Sequence, residues 1–325
     1  MKSTAVAPSN IAFIKYWGRK DEELRLPENG SISMNLSNLL TTTTVEFNTN
    51  LTKDEVIIDG QENEREVFRV SEHLDRIRKM ASISTFAKVT SINNFPSSTG
   101  LSSSASGFAA LTVAGTHAAG LTLTDKELSI LARLGSGSAC RSIPDGFTEW
   151  LDGNTNETSY AKSLYPKNYW DISDIVAVAS NEKKSVSTTA GQKLSSSSPF
   201  FETRLNNISD KIIKIKERMK EKDFTKFGEI LEAEALEIHS IMLTSKPSLI
   251  YLLPNSLRII LEVKKMRNEG VEAYFTLNTG QDVHVICESK NKDLAAARLK
   301  TVDGVSDVII NSSANGARIS EDHLF

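Results

Sequence analysis

The chain has 325 residues, 39% hydrophobic and 24% charged, enough for two domains or one large one with a packed core. A formal net charge of −3 offers no basic field for nucleic acid, so nucleic-acid binding is not expected. Two distant cysteines, Cys140 and Cys287, and the absence of a signal-peptide-like start or of any run near roughly 18 apolar residues point to a reduced, cytoplasmic protein with no membrane span.

In chain order, residues 5–14, 42–47, 55–59 and 85–92 alternate or run apolar and are expected as strands. Residues 68–80 have helical spacing, with Val70, Leu74 and Ile77 on one side. Helices follow over 105–119 and 125–134, and a buried strand over 175–179. Residues 190–200 are rich in Ser and are expected as a mobile loop or boundary. A long amphipathic helix comes next, with Leu205, Ile208, Ile212, Ile215 and Met219 on one face and Lys and Glu opposite. Helices over 224–242 and 255–268 lead to a hairpin, 273–276 and 283–287, around Asn278-Thr-Gly-Gln. Residues 293–300 are helical, 305–311 form a last strand, and 312–325 are expected as a partly ordered tail. The second half thus reads as an α+β layer, helices on an antiparallel sheet.

The most informative stretch runs from Asn93 to Ala109. A strand ends in the turn signal Asn93–Pro96, a loop of small residues follows, and a helix begins at Ala105. A Gly/Ser loop that opens a helix aims unpaired N–H groups at one spot, and the helix dipole adds about half a positive charge there. Gly100 lets the backbone approach a ligand closely, and Ser102, Ser103, Ser104 and Ser106 add hydroxyl donors. The loop is therefore expected to hold a phosphate. Without that chemistry it would be a flexible surface loop, a poor fit to its place between a strand and an Ala-rich helix.

Three other segments carry candidate chemistry. Lys15 follows an apolar strand and is flanked by Ile14 and Tyr16-Trp17, too apolar for an ordinary exposed turn. Gly135-Ser-Gly-Ser-Ala-Cys-Arg-Ser is a second small-residue turn, and its Arg141 presents a planar fork suited to carboxylate or phosphate. Leu277-Asn-Thr-Gly-Gln is a glycine turn that can deliver one side chain into a cleft. The five histidines form no metal pattern: His239 has only Glu234 and Glu237 nearby, and no metal site is expected. Walker-type and Rossmann glycine signatures are missing from the sequence.

These residues carry a resemblance. Ala-Pro-Ser-Asn-Ile-Ala…Ile-Lys-Tyr-Trp-Gly-Arg (7–19), Leu-Pro-Glu-Asn-Gly-Ser-Ile-Ser (26–33), the serine loop with its helix (93–111) and Gly-Ser-Gly-Ser-Ala-Cys-Arg-Ser (135–142) resemble mevalonate diphosphate decarboxylases. That family lies in the kinase superfamily of galactokinase, homoserine kinase and mevalonate kinase. The resemblance spans nearly the whole chain. It implies an α+β fold with a ribosomal-S5-like N-terminal half (1–183), a ferredoxin-like C-terminal half (184–325) and a cleft between them. It also implies a homodimer, since dimers are common in the family. In such enzymes ATP phosphorylates the tertiary 3-hydroxyl of mevalonate 5-diphosphate, and loss of that phosphate drives loss of carbon dioxide.

Residue by residue, the resemblance puts Lys15 in the reactive centre, Tyr16 and Ser138 on the substrate, and Arg141 on its carboxylate. Arg19 and Arg69 fall where the family contacts the 5-phosphates. Thr188 and Thr189 lie in a substrate-binding loop region, and Ser103 and Ser104 match hydroxyls at the ATP phosphates and magnesium. One position departs. The family has Asp-Ala-Gly-Pro-Asn at the hairpin, and its Asp accepts or orients the 3-hydroxyl proton; here Asn278 stands in that place. An amide is no base and brings no charge. Asp145, beside a second departure at Ile143-Pro-Asp-Gly-Phe, is one conceivable replacement, and Asp282 another.

A substrate that arrives already phosphorylated at carbon 3 needs no such base. A carboxylate there would repel it by about 1–4 kcal/mol. The main expectation is therefore ATP-independent decarboxylation of mevalonate 3,5-bisphosphate to isopentenyl phosphate, with no cofactor required. The alternative is ATP- and Mg2+-dependent decarboxylation of mevalonate 5-diphosphate or 5-phosphate. A third reading is a non-catalytic member that binds phosphorylated ligands.

Overall fold

The structure is a computed structural model that describes residues 1–96, 101–180 and 186–325. The first half contains β1 (Lys2–Ile14), the short strands β2 (Arg19–Asp21) and β3 (Leu26–Pro27), β4 (Ser31–Phe47), β5 (Glu55–Ile58), α1 (Glu64–Ala81) and β6 (Ala87–Asn93). It continues through α2 (Ser103–Ala118), α3 (Asp125–Gly135), a 3-10 turn (Gly137–Ser142), β7 (Phe147–Trp150) and β8 (Ala161–Tyr165). The second half contains β9 (Ile172–Val178), α4 (Thr188–Gln192), α5 (Phe201–Glu221), α6 (Phe224–Thr244), α7 (Pro254–Asn268), β10 (Ala273–Thr276), β11 (Val283–Glu288), α8 (Lys292–Lys300), β12 (Asp307–Ser312) and β13 (Arg318–Ser320).

The α+β expectation, two sheet-and-helix halves with a cleft between them, holds. The first sheet runs β13-β1-β4-β6-β5, with β7 and β8 extending from β4; the second runs β10-β11-β9-β12 and is antiparallel throughout. A division by sheet pairing falls before Ile172, because among the described residues β9 pairs with β11 and β12 alone; the expected division at 183/184 lies beyond it. α2 is apolar on nearly every face and is buried accordingly, against α1 and the first sheet. α7 and α8 cover one face of the second sheet, where Ile259, Val263 and Leu299 meet Phe275, Val285 and Cys287. The other face turns toward the first half: Ile11 and Phe13 of β1 share a core with Val176, Ile286, Phe227 and Leu231. That shared core fixes the C-terminal end of β1 against the second half.

The β1–β4 register shifts between Pro8 and Asn10, where proline has no N–H for the ladder. At this irregularity the Ser9 hydroxyl donates to the Leu101 carbonyl (2.5 Å) and Asn10 is buried beside the 3-10 turn.

Three expectations are corrected. Residues 190–200 are not a loose boundary: α4 and a 3-10 turn at Ser195–Ser197 occupy much of it, and Gln192, Ser195 and Ser198 are buried. The tail is tied down, because β13 pairs with β1, the Ala317 N–H donates to the Ser142 carbonyl, and Leu324 N–H reaches Thr44 Oγ1. β7 and β8 were not expected; strands of four and five residues are too short to show alternation.

Gly228 sits in α6 where a Cβ would lie 2.0 Å from Cδ2 of Tyr274. Alanine would gain up to about 1 kcal/mol of helix propensity, but the ring is packed against Phe224 and cannot withdraw freely. Gly228→Ala is expected to lower unfolding free energy by about 1–3 kcal/mol in urea titration.

Candidate active site

A cavity of about 390 Å³ opens where the end of β1, the start of α2, the 3-10 turn and the β10–β11 turn converge. It collects most of the residues singled out from sequence. Lys15, Tyr16, Arg141 and Asn278 line it, together with Ser138, Arg19 and Arg69. Ser102, Ser103 and Ser104 enter from α2, and Thr188 and Thr189 from α4. Gly100 lies outside the described residues. Ser106 does not reach the cavity: it is buried within α2, where its hydroxyl accepts from Thr41 Oγ1 (2.6 Å) and donates to the Ser103 carbonyl (3.2 Å). Asp145 and Asp282 do not line the cavity either. Asp145 accepts from the Gly316 N–H and Asp282 from the Ala179 N–H.

Lys15 is held by its backbone. Its N–H donates to Glu234 Oε1 (2.9 Å), and its carbonyl accepts from Arg204 (2.9 Å) and Asn29 (2.9 Å). Glu234 and Arg204, on α6 and α5, form a two-bond ion pair at 2.7 and 2.9 Å with no solvent exposure. Burial alone would neutralise Glu234; Arg204 and Lys211 outweigh it and hold the carboxyl below its usual range. The Lys15 ammonium has one hydrogen-bond acceptor among the described residues, the Ala12 carbonyl at 2.5 Å. Burial is the largest influence on it, and its pKa is pushed down to about 7.

Asn10 organises the Arg141 end of the cavity and was not singled out from sequence. Its Oδ1 accepts from Arg141 Nε and NH2 (both 3.1 Å), and its amide donates to the Ser142 hydroxyl (2.8 Å) and Ser138 carbonyl (3.2 Å). Its backbone carbonyl faces Asn278 Nδ2 at 3.4 Å, and the same amide donates to Ser102 Oγ at 3.1 Å. A carbonyl can only accept, so the Asn278 amide orientation is set by its surroundings. Arg141 also bonds Ser31 Oγ (2.9 Å) and lies over Trp150, and among the described residues no carboxylate pairs with it. A buried, unpaired guanidinium is poised for an anion that the protein does not supply.

The far end is basic. Arg19, Arg25, Arg65 and Arg69 line it with Glu66 as the one carboxylate among the described lining residues. Burial and the neighbouring Arg19 depress Arg25 to about 10. Arg19 donates to the Tyr16 hydroxyl (2.6 Å), and Gly137 leaves room for the Tyr16 ring, which a Cβ would meet at 2.9 Å. Thr188 and Thr279 share a 2.7 Å hydroxyl contact that links α4 to the hairpin. Cys140 is buried and its thiol is pushed up to about 12, so it is no nucleophile.

A second cavity, about 590 Å³, adjoins the first. Ser103, Ser104, Arg65 and Arg69 line both. Beyond that shared wall the second cavity is lined by Val56, Ile58, Val70, Val89, Phe108 and Leu111 on one hand and by Asp59, Gln61, Asn63, Asn93 and several hydroxyls on the other, a surface for a planar group with polar edges. No group of three or more His, Cys, Asp or Glu gathers for a metal among the described residues, and no described helix is long and apolar enough to cross a membrane.

The chain that forms these two cavities is similar to known proteins over nearly all of its length. Residues 7–161 match the diphosphomevalonate decarboxylase-like N-terminal domain, and residues 174–319 match the mevalonate 5-diphosphate decarboxylase C-terminal domain. The diphosphomevalonate decarboxylase of Candida albicans is 34% identical over 309 residues, covering 90% of this chain and 85% of its own. The human diphosphomevalonate decarboxylase is 35% identical, covering 79% and 69%. The structure of mevalonate diphosphate decarboxylase from Staphylococcus aureus superimposes with a TM-score of 0.94 at 38% identity, covering 98% of each chain. The chain belongs to the diphosphomevalonate decarboxylase family, a family of carboxy-lyases.

A further neighbour corrects the cofactor expectation. The protein named MDDEF, 37% identical over 99% of both chains with a TM-score of 0.93, is solved in complex with MVAPP, AMPPCP and magnesium. AMPPCP and magnesium bound together with MVAPP in so similar a structure overturn the expectation that no cofactor is required. Asn278 had suggested that expectation. Its neutral amide removes one base, but the two adjoining cavities and their serine wall remain.

Two outcomes are expected of variants here. Arg141→Met removes an unpaired buried cation, so the thermal midpoint of the ligand-free protein should hold, while kcat/KM falls by roughly 2.7–4 kcal/mol of transition-state stabilisation in steady-state assays. Glu234→Ala removes the two-bond partner of buried Arg204, leaving it only the partly exposed Glu237 as counter-charge, and takes away the acceptor of the Lys15 N–H; it should cost about 3–5 kcal/mol of stability in urea titration.

Proposed function

We propose that the protein catalyses the ATP-dependent decarboxylation of mevalonate 5-diphosphate to isopentenyl diphosphate, carbon dioxide, ADP and phosphate. The observation that carries this reading is the wall of Ser103 and Ser104 shared by the two cavities. A nucleotide in the second cavity would direct its phosphates through that wall toward the Lys15 and Arg141 end of the first. The relatives' names and the ligands of MDDEF support the same reading.

The residue roles follow from charge and position. Arg141, braced by Asn10, holds the substrate carboxylate. Arg19, Arg25, Arg65 and Arg69 neutralise the 5-diphosphate, for which one lining carboxylate leaves a large positive excess. Tyr16, Ser138, Thr188 and Thr189 bound the mevalonate chain, and Asn278 orients the 3-hydroxyl. Lys15 faces the 3-phosphate as it departs, where a preorganised cation stabilises developing charge. With Glu66 engaged by Arg69 and no cluster of acidic ligands among the described residues, Ser103 and Ser104 would hold a magnesium carried on the nucleotide phosphates, and it would supply charge neutralisation there.

The test is a product balance. Incubation with mevalonate 5-diphosphate, ATP and magnesium should release ADP, phosphate and carbon dioxide in equal amounts, with nothing released when ATP is withheld. Carbon dioxide from mevalonate 3,5-bisphosphate without nucleotide, and none from the 5-diphosphate with ATP, would reverse the conclusion.

A further inference from the structure

We propose that Lys15, as a neutral amine, takes the proton of the tertiary 3-hydroxyl and, as the ammonium so formed, then faces the 3-phosphate as it leaves. This inference rests on the ATP-dependent reading of the site. Phosphorylation of that hydroxyl needs an acceptor for its proton, and the usual acceptor types are spoken for. Glu66 is bonded to Arg69 at the far end (2.9 and 3.1 Å). Asp145 and Asp282 lie outside the cavity and accept backbone N–H groups. The Asn278 amide is no base. His239 Nε2 lies 3.2 Å from the Asn278 carbonyl, which can only accept, so that nitrogen carries hydrogen, and the ring does not line the cavity.

Lys15 remains. Its Nζ rests on the Ala12 carbonyl and Asn278 Nδ2 faces the Asn10 carbonyl, two residues back along β1, a spacing of roughly 6.5 Å in a strand. Both side chains line the same cavity, so the amine reaches the centre that Asn278 faces. The charged groups around it come from several elements. Glu234 on α6 and Asp174 on β9 favour the ammonium; Arg141 on the 3-10 turn and Arg204 on α5 oppose it. His239 on α6 is held to about 4 by burial and stays neutral. Burial decides the sum, and an amine near neutrality can exchange a proton at working pH.

The steps balance. The hydroxyl oxygen bonds to the γ-phosphorus of ATP, whose bond to the β–γ bridging oxygen breaks and leaves its electron pair on ADP, while the hydroxyl proton passes to the Lys15 lone pair. The C3–O bond then breaks with its pair on the phosphate, the bond to the carboxylate supplies the pair of the new double bond, and carbon dioxide departs. The ammonium returns its proton to phosphate or solvent as products leave.

The experiment follows ADP release by the full chain with mevalonate 5-diphosphate and magnesium ATP from about pH 5.5 to about pH 9. ADP formation should rise about tenfold per pH unit below about 7 and level above it. Lys15→Arg keeps the cation but cannot give up its proton. It should lose roughly 10²–10⁴-fold in ADP formation yet still decarboxylate substrate supplied with the 3-phosphate in place. Adding Asn278→Asp to Lys15→Arg should restore ADP formation by at least about tenfold, with the rise moved to lower pH. A flat wild-type profile, or Lys15→Arg within about threefold of wild type, or equal loss of both steps in that variant, would overturn the assignment. No ADP from the wild type at any pH would instead overturn the ATP-dependent reading beneath it.

Discussion

The site depends on one buried ion pair. Arg204 and Glu234 lie on different helices of the second half, yet each bonds the Lys15 peptide at the end of the first strand. Burying two charges is costly unless their hydrogen bonds are met. Here Lys211, Glu237 and the Lys15 backbone meet most of them, although Arg204 Nε has no partner. The pair joins the two halves and fixes where the lysine side chain begins. With the backbone held so tightly, Lys15 Nζ can rest on one neutral carbonyl instead of a carboxylate. That arrangement leaves its charge unsettled and available for chemistry.

The same economy governs the rest of the cavity. Arg141 is bonded by a neutral amide and a hydroxyl, and Asn278 by a hydroxyl and a carbonyl. Asn10 contributes to both arrangements, to one with its side chain and to the other with its carbonyl. Such a site is destabilised while empty, because buried cations lack counter-charge, and under the proposed function the substrate's anions would complete it. Proteins commonly give up stability at functional sites in this way.

Much of this was legible in the sequence where chemistry and chain order coincide. The serine loop, the Lys15 strand end and the Arg141 turn are contiguous motifs, and the structure gathers them around one cavity. The helices with strong periodicity also stand close to their expected limits, whereas β4, expected over 42–47, begins eleven residues earlier at Ser31. What the sequence hid depends on distance. Arg204 and Glu234 are thirty residues apart on amphipathic helices, where charges read as a solvated face. Arg25 stands in a turn with φ 50°, with nothing local to mark it as a wall of the cavity. Asn10 sits in an apolar strand whose register shift appears only when β4 is beside it. Residues 190–200 looked loose because serine favours loops, although several of them are buried against the helices around them.

The pairing of β13 with β1 has a kinetic side. β1 lies between β4 and β13, so one edge of the strand that ends at Lys15 waits for residues 318–320. During synthesis that edge stays open until nearly the whole chain has emerged, and an open edge is a template for the wrong strand. The register in question joins Thr4 to Ser320, among the most non-local contacts the chain can make, and such contacts are slow to find. The bond from Ala317 to Ser142, next to Arg141, closes at the same late stage. A nascent chain therefore carries every described lining residue of the cavity before it carries the strand that closes the open edge of β1.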